Sequence, residues 1–300
     1  SMVSASPVVL TQGILRRKGV RSAAISHGLD VTAPVSIYQW WIRSIFAAID
    51  VLLPVSRATG EASIDAGMDA QRVQVISNGV DVDRLGSGVD RLSARASIRT
   101  EFGFSPNAHV LVNVGRQVRR KGVAWFVRSV MPRLPEDVVL LVVGEGPEMA
   151  DIAQAIDERG LNYRVRLAGR VDESMLMRAL AGSDVFVMPN IPVAGDMEGF
   201  GVVMLEAGLL DLPTVASGIE GILDVITDGV NGLLVAPGDE EGFAEAIRRC
   251  LSATALADDR ATGGNGTASA AFAPGSIRAH VRSTFSWDAV SGRYLAALRS

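Results

Sequence analysis

The 300-residue sequence is sparing with several residue types, and each scarcity narrows what the chain can be. A single cysteine, Cys250, rules out an internal disulfide framework and a cysteine metal site, and it fits a reducing cytoplasm. No apolar run reaches spanning length: the most apolar stretch, residues 37–55, carries Gln39, Arg43, Ser44 and Asp50. The aromatics Tyr38, Trp40, Trp41 and Phe46 in that stretch leave an interfacial helix and peripheral membrane contact open. Apolar helical periodicity is first of all a burial signal, however, so a core or interdomain helix is expected there. The N-terminus lacks the basic, apolar and small-residue order of a signal peptide. Basic charge is not in excess, since Lys+Arg 29 against Asp+Glu 33 leaves −4, and this argues against nucleic acid as a partner. Lysine is nearly absent from that basic set, with Lys18 and Lys121 alone among arginines. HExxH, Walker A and GxSxG segments are also missing.

What is present is a long βα alternation. The composition, 48% hydrophobic with mean hydropathy +0.26, excludes a disordered chain and a coiled coil. Short β-branched runs at 110–114, 138–143, 164–167, 185–188, 214–216 and 233–235 predict strands. Helical patterns at 123–131, 148–159, 173–181, 202–210 and 241–251 lie between and after them. That order predicts a parallel sheet covered on both faces, with ligands in the crevice beyond the strand C-termini. An earlier block, with strands at 21–27 and 51–55 and helices at 37–49 and 57–67, reads as a smaller α/β lobe. Asn78-Gly79-Val80-Asp81 is a turn signal and the expected hinge. Residues 257–276, rich in Gly, Ala, Ser and Thr, predict a mobile loop, and a last helix is expected near 287–298.

Chemistry concentrates in the loops of the second block. Gly115-Arg116 and Lys121-Gly122 bracket the loop after the first strand of that block, where Arg116 and Lys121 could hold two phosphates from different sides. A solvated basic loop is the alternative, but it does not explain a lysine kept in an arginine-rich chain. The segment Glu198-Gly199-Phe200-Gly201-Val202 opens a helix whose first N–H groups suit an anion, with Glu206 about one turn on. A carboxylate accepts from two hydroxyls at once, so Glu206 suits a ribose diol and Glu198 a sugar hydroxyl. Gly169-Arg170-Val171 either holds a base by its backbone or is a structural turn. Gly144-Glu145-Gly146-Pro147 lacks the third glycine of a dinucleotide fingerprint and reads as a tight turn. His109, His280 and Cys250 are expected to be structural.

Together these segments resemble the GT-B-fold retaining glycosyltransferases of group 1, family four. Further segments carrying the resemblance are Asn78-Gly79-Val80-Asp81, the seven-residue spacing from Glu198 to Glu206, Asp228-Gly229-Val230-Asn231-Gly232 and Phe285-Ser286-Trp287. The resemblance implies an α/β fold with a complete Rossmann-like C-terminal donor domain (82–284) and a partial Rossmann-like N-terminal lobe on the acceptor side (1–81). A C-terminal helix (285–300) would return to that lobe. It implies a nucleotide-diphosphate sugar of the UDP, GDP or ADP type as donor substrate, with no cofactor and no metal needed for chemistry. Arg116, Lys121 and the backbone N–H groups of Gly199, Phe200, Gly201 and Val202 would neutralise the departing diphosphate. Glu206 would hold the ribose, Glu198 the sugar and the backbone of Arg170 and Val171 the base. His27 would face the sugar from the first lobe. Charge stabilisation on the leaving group would be the main catalytic effect.

Two features depart from the family pattern. Family members begin well before the matching histidine, which implies a first lobe lacking its N-terminal part. Such a chain is expected to bind donor nucleotide but to transfer sugar poorly, and its open sheet edge would invite homodimerisation. Glu220-Gly221-Ile222-Leu223-Asp224 also replaces the usual double glycine and glutamate. The rival readings are a binding or interaction module without transfer activity, a GT-B epimerase and an NAD-dependent dehydrogenase. The last would need the full glycine fingerprint.

Overall fold

A computed structural model describes residues 5–32, 36–86, 89–261 and 272–299. Two parallel sheets organise it. The smaller pairs β1 (Ala23–Ser26) with β2 (Val51–Pro54) in parallel. The larger has six parallel strands: β3 (His109–Val114), β4 (Val138–Val143), β5 (Val165–Gly169), β6 (Val185–Met188), β7 (Thr214–Ser217) and β8 (Gly232–Val235). Their spatial order is β5-β4-β3-β6-β7-β8. The chain winds outward from β3 in one direction and from β6 in the other, so the switch point lies between these two strands. Loops after both strands therefore open into one crevice.

Burial follows from this layering. Every residue of β4, β6 and β7 is buried, as expected for strands covered on both faces. One face packs Phe126, Phe243, Ile247 and Cys250 into a common core. Burial pushes the Cys250 thiol up to about 12, so it is a packing residue. The other face is filled by Ile98, Leu180, Leu205 and Phe285. His280 stacks edge-on against Phe285, and burial lowers its pKa.

The first lobe is thinner. Ile42, Ile45 and Phe46, from the helix Ser36–Ala48, pack on Leu52 of β2. The stretch 37–49 is therefore mainly a core helix, with Trp40 exposed. The opposite face is covered by the C-terminal helix Trp287–Arg299, whose Val290 and Ala297 pack with Val51, Leu53 and Ile76. Beyond β2, the Gln74 and Ile76 N–H groups donate to the Leu52 and Pro54 carbonyls. Among the described residues β1 ends the sheet on its other side. The chain crosses to the second lobe at Asn78–Asp81, where Val80 bridges Ser286. Gly79 lies against the Trp287 indole, and a Cβ there would come within 2.5 Å of the ring.

Several helices are not evident from the sequence pattern: Ser6–Arg17, Arg91–Glu101 and Ser276–Phe285. Residues 257–261, expected in a loop, continue the helix Glu240–Ala261, while 262–271 lie outside the described residues. The helix Arg91–Glu101 is tied to the sheet by a buried network. Arg99 Nη2 meets Asp184 Oδ2 at 3.0 Å, and its Nε donates to the Ala108 carbonyl. Asp184 also accepts from Arg95 and from the Val110 N–H. Removing one member of a buried pair strands the other charge, at a cost of about 3–5 kcal/mol. Asp184→Ala should therefore lower unfolding free energy in urea by about that amount, whereas a loss under about 1 kcal/mol would place the pair among weak surface bridges.

Candidate functional site

The two switch-point loops are shaped by glycines. After β3, Gly115 leads into a loop that ends in the short 3₁₀ turn Arg119–Lys121, closed by Gly122 at φ +65°. This conformation carries the Lys121 side chain inward, where it is buried. The Arg120 carbonyl accepts from the Ile191 N–H at 2.9 Å, joining this loop to the one after β6. That second loop ends at Gly201, φ +84°, which opens the helix Val202–Leu209, and the first N–H groups of that helix have no helical carbonyl before them to meet.

A cleft of about 450 Å³ forms between the lobes. Arg116, Arg120 and Lys121 line it from the β3 loop, Glu198 to Val202 and Glu206 from the β6 loop and helix, and His27, Gly28 and Asn78 from the first lobe and hinge. Of the residues expected from sequence, His27, Arg116, Lys121, Glu198, Gly199, Phe200, Gly201, Val202 and Glu206 are thus brought together. The Phe200 ring itself turns into the core, edge-on to Phe285, so its backbone is what faces the cleft. Arg170 and Val171 do not line the cleft. They follow the edge strand β5, and the Arg170 N–H donates to Glu145 at 3.4 Å. The Gly144–Pro147 segment is a structural turn whose Glu145 carbonyl accepts from the Gln117 N–H.

At the centre Lys121 Nζ donates to Glu198 Oε2 at 2.6 Å, with both side chains 9% exposed. Arg120 Nε lies 3.6 Å from the same oxygen, and Asn190 Nδ2 donates to it at 3.3 Å. Burial by itself would raise the Glu198 carboxyl, but the Lys121 charge and hydrogen bond, helped by Arg120 and Asn190, hold it below its ordinary value. Arg116 is exposed at the mouth and has no ion-pair partner among the described residues. Glu206 receives Arg84 Nη2 at 3.0 Å from the helix Val82–Gly86. Burial nevertheless raises its carboxyl against the Arg84 charge. Glu220 reaches in from behind: its Oε2 accepts from the Glu198 N–H at 2.6 Å, and burial raises its carboxyl too.

Sequence reasoning did not find Arg84, Arg120, Asn190 or Glu220 as site residues. Arg84 and Arg120 look like ordinary surface arginines in a chain full of them, and only tertiary contact distinguishes them. The chemistry of the cleft is that of an anion site: three cations and a helix N-terminus surround one buried carboxylate. Among the described residues no group of three or more His, Cys, Asp or Glu is placed to hold a metal ion, and no helix is long and apolar enough to cross a membrane.

The charge balance gives a direct test. In a carboxyl-carbon NMR titration Glu198 should protonate below an ordinary glutamate, and Glu206 and Glu220 above one. The stabilisation from Glu198 is present at neutral pH and lost as pH falls through its lowered pKa. Lys121→Ala removes the strongest lowering influence and should move Glu198 upward. A Glu198 that titrates at the ordinary value in the unaltered protein would contradict the pair.

Comparison with known proteins covers both lobes. Two family models match: Glycosyltransferase Family 4 over residues 3–84 and Glycosyl transferases group 1 over residues 108–253. The GDP-mannose-dependent alpha-(1-6)-phosphatidylinositol monomannoside mannosyltransferase of Mycolicibacterium smegmatis is 30% identical over 255 residues, 83% of this chain and 66% of that protein. The lipopolysaccharide core biosynthesis glycosyltransferase LpsD of Rhizobium meliloti is 35% identical over 202 residues, 67% of this chain and 51% of its own length. The chain thus spans about half to two thirds of these relatives. Among solved structures, HepE of Anabaena in complex with UDP superposes with a TM-score of 0.78 at 21% identity, over 98% of this chain and 76% of that one. Sucrose-phosphate synthase of Thermosynechococcus elongatus gives 0.71 at 24% identity, over 96% and 70%. On its two matched halves and its architecture, the chain belongs to the group 1, family 4 glycosyltransferases and has their GT-B fold.

Proposed function

We propose that the interlobe cleft binds a nucleoside-diphosphate sugar and that the protein is a glycosyltransferase acting with retention of anomeric configuration. The observation that carries this reading is the convergence of Arg116, Arg120, Lys121 and the Gly199–Val202 backbone on one cleft beside the buried Glu198. HepE, which shares the fold, has been solved with UDP and with UDP-glucose.

In this reading the diphosphate enters between Arg116 and Lys121 and draws Lys121 toward it. The first N–H groups of the helix Val202–Leu209 complete the oxyanion environment, so negative charge building on the leaving group meets fixed positive charge. These side chains, rather than a bound metal, supply that charge. Glu198 turns to a hydroxyl of the sugar, and His27 faces the sugar from the first lobe. Glu206 takes the ribose diol once Arg84 yields it. The bond from the anomeric carbon to the diphosphate oxygen breaks as the bond to the acceptor hydroxyl oxygen forms on the same face. The acceptor proton leaves with the diphosphate.

Calorimetric titration with UDP, GDP and ADP tests this. One diphosphate should bind, and Lys121→Ala should weaken it by about 1.5–3 kcal/mol, the range for hydrogen bonds to charged groups. A change below about threefold, roughly 0.65 kcal/mol, would remove Lys121 from the phosphate site. Glu206→Ala should weaken the ribonucleotide more than its dideoxy analogue, and equal losses would contradict the ribose contact. Failure of all three diphosphates to bind the unaltered chain would overturn the reading.

A further inference from the structure

The first lobe also touches the 3₁₀ turn Glu220–Asp224, which follows β7, and the two ends of this turn hold different things. At one end Asp224 reaches across to the first lobe. Its Oδ2 accepts from the Arg57 backbone N–H at 3.0 Å and its Oδ1 from Arg57 Nε at 2.8 Å. Arg57 Nη2 also donates to the Leu223 carbonyl at 3.3 Å. Arg57 is the first residue of the helix Arg57–Asp65, so its N–H is one of those that no helical carbonyl can satisfy. The other lobe supplies the missing acceptor, and it does so with a carboxylate at the positive end of the helix.

At the other end the turn grips the Glu198 peptide on both sides. The Glu198 N–H donates to Glu220 Oε2 at 2.6 Å, and the Glu198 carbonyl accepts from the Gly221 N–H at 3.1 Å. Position 221 has no room for a side chain, since a Cβ there would lie 2.8 Å from the Glu198 carbonyl oxygen. Glu220 itself sits at φ +51°, a conformation that a residue with a Cβ adopts only where its surroundings hold it. The turn thus places a carboxyl group against the backbone of the residue assigned to the sugar.

We propose that the turn Glu220–Asp224 is a strut that makes the seating of Glu198 depend on the docking of the first lobe, with Arg57, Asp224 and Glu220 as its positioning residues. The proposal rests on the nucleotide-sugar reading for its consequence, because that reading assigns Glu198 to the donor sugar. When the lobes part, the contacts of Asp224 with Arg57 break, and the turn loses the anchor that keeps Glu220 and Gly221 against the Glu198 peptide. Among the described residues no hydrogen bond or ion pair joins this turn directly to Arg116 or Lys121, the side chains that the reading assigns to the diphosphate. Lobe docking therefore tightens the hold on the sugar more than the hold on the diphosphate.

The test is amide hydrogen exchange on the full chain, unaltered and as Asp224→Ala, Asp224→Asn and Arg57→Ala. The Glu198 amide should exchange at least tenfold faster in Asp224→Ala and be partly restored in Asp224→Asn, which keeps an acceptor for the Arg57 N–H. Amides of β8 should stay protected, which shows that the fold is retained. Arg57→Ala, at a side chain 67% exposed, carries the same expectation if Asp224→Ala fails to fold. In parallel, UDP, GDP and ADP are titrated alone and as their glucose conjugates. Asp224→Ala should lose at least fivefold for a conjugate while its diphosphate stays within twofold. Unchanged exchange at Glu198 in folded variants, or equal losses for conjugate and diphosphate, would overturn the strut. If no nucleotide binds the unaltered chain, the functional reading fails while the exchange arm still decides the strut.

Discussion

The ion pair between Lys121 and Glu198 is the constraint around which the cleft is arranged. Two opposite charges held at 2.6 Å and almost out of solvent are each intolerable without the other. Each is delivered by a distinct backbone feature: a 3₁₀ turn closed by a left-handed glycine for Lys121, and a loop pinned by Glu220 for Glu198. The chain uses arginine for nearly every other cation, but at this position keeps the compact ammonium. A point charge can leave one partner for another by a small rotation, which a forked guanidinium cannot do as readily. On the proposed reading, the pair occupies the diphosphate seat while keeping it ready for exchange.

The arrangement also explains why the lobes need each other. The backbone at Gly28 approaches Gly199 so closely that a Cβ at position 199 would lie 2.8 Å from the Gly28 nitrogen. Asp224 meets Arg57, and Gly79 packs against Trp287 at the crossing. The C-terminal helix completes the first lobe by covering Val51 and Leu53. Residues far apart in the chain thus meet along a single seam, and the cleft is a property of that seam as much as of the second sheet.

Much of this was legible in the sequence because it rests on local signals. Continuous β-branched runs such as Val138–Val143 read as buried parallel strands, and glycines at 115, 122, 199 and 201 marked the loops that line the cleft. What was not legible depended on distant partners. The helix Arg91–Glu101 carries four charged residues and buries Ala94 and Ile98 as its apolar contacts, and it is tied to the sheet by Arg99 reaching Asp184, 85 residues away. Arg84 and Glu206 are 122 positions apart, so nothing local foretold that the expected ribose ligand is already paired. Glu220 appeared as a departure from the family pattern. Its carboxyl is in fact spent on the Glu198 backbone, which accounts for a non-glycine residue in a conformation that favours glycine.

A crystal structure of the chain with the nucleoside diphosphate that it binds would test the account most directly. The account predicts the diphosphate within hydrogen-bonding distance of Lys121 Nζ and the helix Val202–Leu209, with the 2.6 Å contact between Lys121 and Glu198 opened. A nucleotide bound elsewhere, with that contact intact, would contradict it.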